Sequence, residues 1–324
     1  MKYRRLGKTD IEVSEIGFGA WAIGSHWGRQ SDENSREAFN TAVDNGVNFI
    51  DTAFVYGEGK SERIIAELSK ARSERIYVTT KTPPTDGPWP PTPYCRAEER
   101  FPEKYLREQV EQHLGNLNVD RIDILLLHTW TRAWNADPRP LEVLRKLCAE
   151  GKIGHIGVST PEHDQNSVIE LMRNGLVDVV EVIFNIFEQE PAAQLLSVAK
   201  QCDVGTIIRV AFDESSLTGK FTMDTKFEEG DFRNAFFAGD RLARTVERVE
   251  KIKQDIGDTD LTLAQIALKF ALDQEGVSTV IPGIRNKWQA EANTGVSDLA
   301  PLADDMVDKL RLHGWNRAFW YSGK

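Results

Sequence analysis

Phe49-Ile50-Asp51-Thr52-Ala53-Phe54-Val55-Tyr56-Gly57 is the stretch on which the reading of the whole chain turns. Val47 to Ile50 is a short apolar run that reads as a buried strand. Tyr56-Gly57-Glu58-Gly59-Lys60 is a glycine-punctuated turn, and Ile64, Ile65 and Leu68 then follow at helical spacing. An acid thus stands at the end of a strand, and a tyrosine on the loop beyond it. Two later apolar runs also end in a titratable residue: Ile76 to Thr80 in Lys81, and Ile122 to Leu127 in His128. Four side chains able to move or polarise a proton follow three successive strands.

Working outward, Tyr3 to Val13 reads as a hairpin turning at Gly7 to Asp10, and Ile16 to Trp21 as a first core strand. Ser31 caps a helix running to about Asp44. After Lys81 comes a proline-rich loop, Thr82 to Pro102, whose Trp89-Pro90-Pro91 suits neither helix nor inner strand. Strands are then expected at 122–128, 151–159, 177–183, 205–211 and 277–283. Helices are expected at 103–117, 138–150, 161–174, 191–201, 241–256, 261–272 and 287–293, with a further one at 302–312. A second long excursion occupies 212–240. Eight strands alternating with helices predict an α/β fold, a (β/α)8 TIM barrel with an N-terminal β-hairpin and extra C-terminal helices. No composition break divides the chain, so residues 1–324 are expected to form a single barrel domain. In such a barrel the C-terminal strand ends open on one face, where Asp51, Tyr56, Lys81 and His128 would meet.

The composition sets limits on partners. A formal net charge of −10 with no basic run argues against nucleic acid or an anionic membrane as partner. No apolar run approaches the ~20 residues of a membrane helix, and the first residues lack the apolar core of a secretory signal. Cys95, Cys148 and Cys202 are scattered, without metal or disulfide spacing, which points to a reducing, cytoplasmic setting and no metal.

The chemistry of the four residues can be read without any family. A free phenol titrates near ~10, too high for efficient proton donation at neutral pH. An adjacent ammonium would lower it, and a carboxylate would hold that ammonium in place. Lys81 and Asp51 can supply those two roles for Tyr56, while His128 polarises a carbonyl oxygen. That set suits protonation of an oxygen that becomes an alkoxide. None of these groups carries a hydride, so a cofactor must. No G-x-G-x-x-G follows a strand, so a Rossmann domain is not expected. Anion sites in barrels fall after the last strands. Here those places hold Leu217-Thr218-Gly219-Lys220 and Ile281-Pro282-Gly283-Ile284-Arg285. The Arg285 fork suits a phosphate monoester.

From Leu6-Gly7-Lys8-Thr9 through Asp51-Thr52-Ala53, Tyr56-Gly57, Lys81, Leu125-Leu126-Leu127-His128 and Ile156-Gly157-Val158-Ser159 to Leu217-Thr218-Gly219-Lys220 and Ile281-Pro282-Gly283, the chain resembles the aldo-keto reductases. The resemblance implies NADPH-dependent reduction of an aldehyde or ketone, with NADH the lesser cofactor. It implies Tyr56 as proton donor, Lys81 and Asp51 as its support, and His128 as the group orienting the substrate carbonyl. It also assigns Ser159 and Asn185 to the nicotinamide carboxamide and Leu217, Gly219 and Lys220 to the pyrophosphate. Gly283, Arg285, Gln289 and Asn293 go to the adenosine end, and Gly19, Ala20 and Trp21 to the cofactor and substrate wall. Three positions depart from the family pattern. Glu181 stands where a glutamine is common, Gln289 stands at the usual phosphate-binding arginine, and Arg209 stands where a tyrosine often stacks on the nicotinamide, so that Arg209, or Ile208 before it, is expected to face the ring instead. Trp21, Tyr56, His128 and Trp130 are expected to meet the substrate, with Trp89 and Phe54 near; Trp315 and Trp320 are either packing or pocket wall. The competing implication, drawn from potassium-channel β subunits of the same fold, is a nucleotide-sensing regulatory subunit with little turnover.

Overall fold

The computed structural model describes residues 1–24, 27, 28 and 30–316. A hairpin of β1 (Tyr3–Arg5) and β2 (Glu12–Ser14) precedes an eight-stranded sheet. That sheet comprises β3 (Phe18–Gly19), β4 (Phe49–Asp51), β5 (Tyr77–Thr82), β6 (Ile122–Leu127), β7 (Ile153–Ser159), β8 (Val179–Ile183), β9 (Gly205–Arg209) and β10 (Thr279–Val280). Every neighbouring pair is parallel. Parallel bridges from Ile16 to Val280 and from Gly19 to Gly283 join the two outer strands, so the sheet closes into a barrel. Helices cross between the strands, as the alternation predicts.

Alternation along the strands sorts the core into two sets. Leu125 and Leu127 of β6, Val180 and Val182 of β8 and Ile208 of β9 face outward into the cluster shared with the helices. Phe49, Ile124, Leu126, Val179, Ile207 and Ile281 form a separate inner cluster. Two residues further along each of these strands, toward its C-terminal end, the same inward row becomes polar. Phe49 is followed by Asp51, Leu126 by His128, Val179 by Glu181 and Ile207 by Arg209. Lys81 holds the matching place on β5, paired in register with Leu126, and Ser159 pairs with Glu181. The site is thus the polar layer stacked on an apolar one.

The hairpin closes the other end. Leu6, Ile11 and Val13 are buried against that inner apolar cluster. Gly7 has φ of 55°, and a Cβ there would stand 2.1 Å from the Gly205 nitrogen, so only glycine lets the turn reach the barrel floor.

Several expected elements are shorter or broken. The first core strand is confined to Phe18–Gly19, and Trp21 instead opens a helical turn, Trp21–Gly24. The helix expected over 161–174 is a 3-10 turn, Gln165–Val168, followed by Ile169–Arg173. Its buried Gln165 side chain accepts from the Ile183 N–H at 2.6 Å and so ties the segment to the end of β8. The proline-rich loop contains one helical turn, Ala97–Arg100, and is pinned by Arg100, which donates to the carbonyls of Thr85 and Pro88. Among the described residues no helix is long and apolar enough to cross a membrane.

Candidate active site

Lys81 lies at the bottom of the polar layer, with no exposed surface. Its Nζ donates to Asp51 Oδ1 at 2.5 Å and to the Thr52 carbonyl at 3.0 Å, and it stands 3.2 Å from Glu181 Oε2. The ammonium lies 5.4 Å from the centre of the Tyr56 ring. Tyr56 and His128 rise above this pair, half-buried at the mouth, with ring centres 6.3 Å apart. The charged groups are below and the two hydrogen-bonding rings above, where an incoming molecule can touch them.

The electrostatics follow from that burial. Burial costs the Lys81 ammonium solvation, but Asp51 and Glu181 outweigh the cost and hold it charged beyond its ordinary range. Burial and the neighbouring Glu181 push the Asp51 carboxyl well up. Burial also pushes the Tyr56 phenol up, against the pull of Lys81. The sequence led us to expect a lowered phenol; desolvation outweighs the ammonium, and Tyr56 keeps its proton. Burial, then Lys81 and Arg209, drive His128 well down, so its imidazole is neutral. Its Nδ1 has no hydrogen-bond partner among the described residues.

Aromatic rings wall the mouth. Trp21 lies 6.0 Å from Tyr56, nearly parallel, and Trp89 meets His128 edge-on at 5.8 Å while keeping 51% of its surface exposed. Trp27 and Phe232 pack on Trp21 at 5.4 and 5.0 Å. Phe232 comes from the 212–240 excursion, where no periodicity in the sequence singles it out. Trp130, expected to meet the substrate, is instead completely buried. Its Nε1 donates to Asn135 and its ring packs on Trp134 at 5.3 Å. Phe54 turns toward His113, not the mouth. Trp315 packs on Phe187 within the core, and Trp320 lies outside the described residues.

The positions expected to hold a dinucleotide line the same end of the barrel. Gly19 and Ala20 are buried. Ser159 Oγ donates to Glu181 Oε1 at 3.2 Å. Arg209 donates to the Thr160 carbonyl at 2.9 Å and pairs with Glu162 and Glu181 at 3.3 and 3.6 Å. Asn185 is oriented by the chain itself: Nδ2 spends one of its two hydrogens on the Val210 carbonyl, and Oδ1 accepts from the Phe187 and Glu188 N–H groups. Leu217 is buried in a 3-10 turn that ends at Gly219, whose φ is 73°. The Lys220 ammonium rests 4.4 Å from the Trp288 ring. Arg285 Nε donates to Gln30, and the Gln289 side chain accepts from the Arg285 N–H. Burial and nearby Arg233 press the Arg285 guanidinium downward, with Asp231 and Glu228 opposing.

Two observations fit a bound dinucleotide. The buried Asn293 Nδ2 lacks a hydrogen-bond partner among the described residues. A Cβ added to exposed Gly283 would meet nothing within 4 Å, so the chain leaves room there for a ligand to lie on the backbone. Among the described residues no cluster of side chains could hold a metal ion.

Residues 15–314 match the family model described as the aldo/keto reductase family. The chain is 30% identical to aldo-keto reductase YhdN of Bacillus subtilis, over 95% of this chain and 92% of that one. It is 26% identical to an NADH-specific methylglyoxal reductase of Escherichia coli, over 96% and 99%. The solved structure of a glycerol dehydrogenase from Gluconobacter oxydans superposes with a TM-score of 0.76 at 25% identity, covering 95% of this chain and 94% of that one.

Proposed function

Because the chain belongs to the aldo/keto reductase family and is a nicotinamide-dependent oxidoreductase, we propose that it reduces an aldehyde or ketone with NADPH, Tyr56 donating the proton. The observation that carries this reading is the buried Asp51–Lys81 pair beneath two half-buried rings.

A bound nicotinamide would supply the hydride; Ser159, Asn185 and Arg209 would hold it, Leu217, Gly219 and Lys220 would meet the pyrophosphate, and Gly283, Arg285, Gln289 and Asn293 would take the adenosine end. The rest is the work of this chain's own side chains. Neutral His128 has an N–H to offer a carbonyl oxygen, and a donor there both orients the substrate and favours charge building on oxygen. Tyr56, kept protonated by burial, gives that oxygen its proton. The phenolate then formed faces the Lys81 ammonium, which Asp51 keeps charged. Trp21, Trp89 and Phe232 offer the substrate aromatic surface, which suits a neutral, partly apolar carbonyl compound.

The preference for NADPH rests on Arg285, whose position beside Arg233 suits a monoester phosphate. The NADH-specific relative makes cofactor choice the first point to test. Titrating Trp21 fluorescence with each nucleotide should give tighter binding of NADPH. Arg285→Ala should then weaken NADPH by roughly 10-fold or more, the worth of a charge-assisted bond, and leave NADH nearly unchanged. Equal loss for both would remove the assignment.

A further inference from the structure

The polar layer holds one carboxylate more than the proton transfer described above requires. Glu181 is buried, with Oε2 3.2 Å from Lys81 Nζ, so the lysine faces Asp51 and Glu181 together. Its other oxygen accepts from Ser159 Oγ, and Arg209 Nε stands 3.6 Å away. Arg209 is shared with Glu162 and the Thr160 carbonyl. The charged and titratable groups around Glu181 are therefore Asp51 from β4, Tyr56 from the following loop, Lys81 from β5, Arg209 from β9, and Glu162 behind Arg209. A glutamine has the same volume and could still bond Ser159. Packing therefore does not call for a charge here.

The charge has an electrostatic consequence. Within the buried part of this group Asp51 and Glu181 face Lys81 and Arg209, while Glu162 lies exposed beyond Arg209. An amide at this position would remove one negative charge from beside Lys81, and the ammonium, left with Asp51 alone, would stabilise the phenolate more strongly. We propose that Glu181 is a positioning residue that shares Lys81 with Asp51, curbs the lysine's pull on Tyr56, and so keeps Tyr56 a loaded proton donor into alkaline solution. This rests on the reductase reading. Both carboxylates act on the phenol in that direction, after burial.

The test compares wild type with Glu181→Gln and Glu181→Asp. The alkaline limb of kcat/KM for carbonyl reduction should fall by about one pH unit or more in the Glu181→Gln variant, and the limb for alcohol oxidation should move down with it. The Glu181→Asp variant, which keeps the charge, should move both limbs back toward wild type. Limbs unmoved by the amide, with only kcat or nucleotide affinity altered, would overturn the proposal. Ultraviolet titration of the Tyr56 phenol, read as the difference from a Tyr56→Phe partner, gives the same answer without turnover. Ionisation should begin about one unit lower in the Glu181→Gln background, and unchanged onset would again overturn the proposal. Absence of carbonyl reduction by wild type at any pH would instead overturn the reductase reading, with the phenol titration still deciding the role of Glu181.

Discussion

Lys81 shows at the residue scale why the site is at once fragile and reactive. Its ammonium is the charge against which two buried carboxylates are held. Lys81→Met would leave Asp51 and Glu181 buried without it, at a cost of roughly 3–5 kcal/mol, the usual penalty for breaking a buried pair. The pH dependence has a definite sign. Carboxyls without their cation bind protons more tightly folded than unfolded, as burial and Glu181 already raise Asp51. Their contribution is therefore present below the unfolded carboxyl pKa and lost as pH rises through the folded one. Urea unfolding should show a larger Lys81→Met deficit at about pH 8 than at about pH 5. A deficit independent of pH would mean that these carboxyls are not strained by losing the ammonium.

At the scale of elements, the strands do two jobs with one alternation: an apolar inner layer, then the polar layer that carries the chemistry. The hairpin protects the first layer. Leu6 has no exposed surface and packs into the inner cluster. Leu6→Ala should lower stability by roughly 2–5 kcal/mol in urea unfolding while leaving the mouth of the barrel unchanged. A loss below about 1 kcal/mol would show that the hairpin merely covers the barrel floor. The eight strands were legible in the sequence because each apolar run is short, β-branched and bounded by turn residues. The breaks were less legible: the segment 161–174 splits because a distant contact, Gln165 with the Ile183 N–H, overrides helical spacing. Trp130 and Trp134 look alike to a sequence reader, and only packing shows that both rings turn inward. Glu181 was visible as a departure, but its ion pair with Lys81 needed the inward row of β8, two residues beyond Val179. The rise of the Tyr56 phenol could not be read at all, since it depends on how deeply the fold sinks the ring.

Across the whole molecule, the chain is acidic, with a net charge of −10, yet Arg209, Lys220, Arg233 and Arg285 belong to segments at the open end of the barrel. A few cations set among acids such as Glu162, Glu228 and Asp231 suit a small phosphorylated ligand better than a long polyanion. The fold gathers what three distant stretches supply: an acid ending β4 with a tyrosine beyond it, a lysine on β5 and a histidine after β6. The central claim is that this gathering makes Tyr56 the proton donor of a nicotinamide-dependent reduction. The most direct test is single-turnover mixing of NADPH-loaded protein with an aldehyde, following the absorbance of the reduced nicotinamide. Wild type should consume one bound nucleotide per site. Tyr56→Phe should bind NADPH with near wild-type affinity and react roughly 10²–10⁴-fold more slowly. A Tyr56→Phe variant as fast as wild type would contradict the account, and wild-type protein that binds the nucleotide without consuming it would point to a sensing subunit.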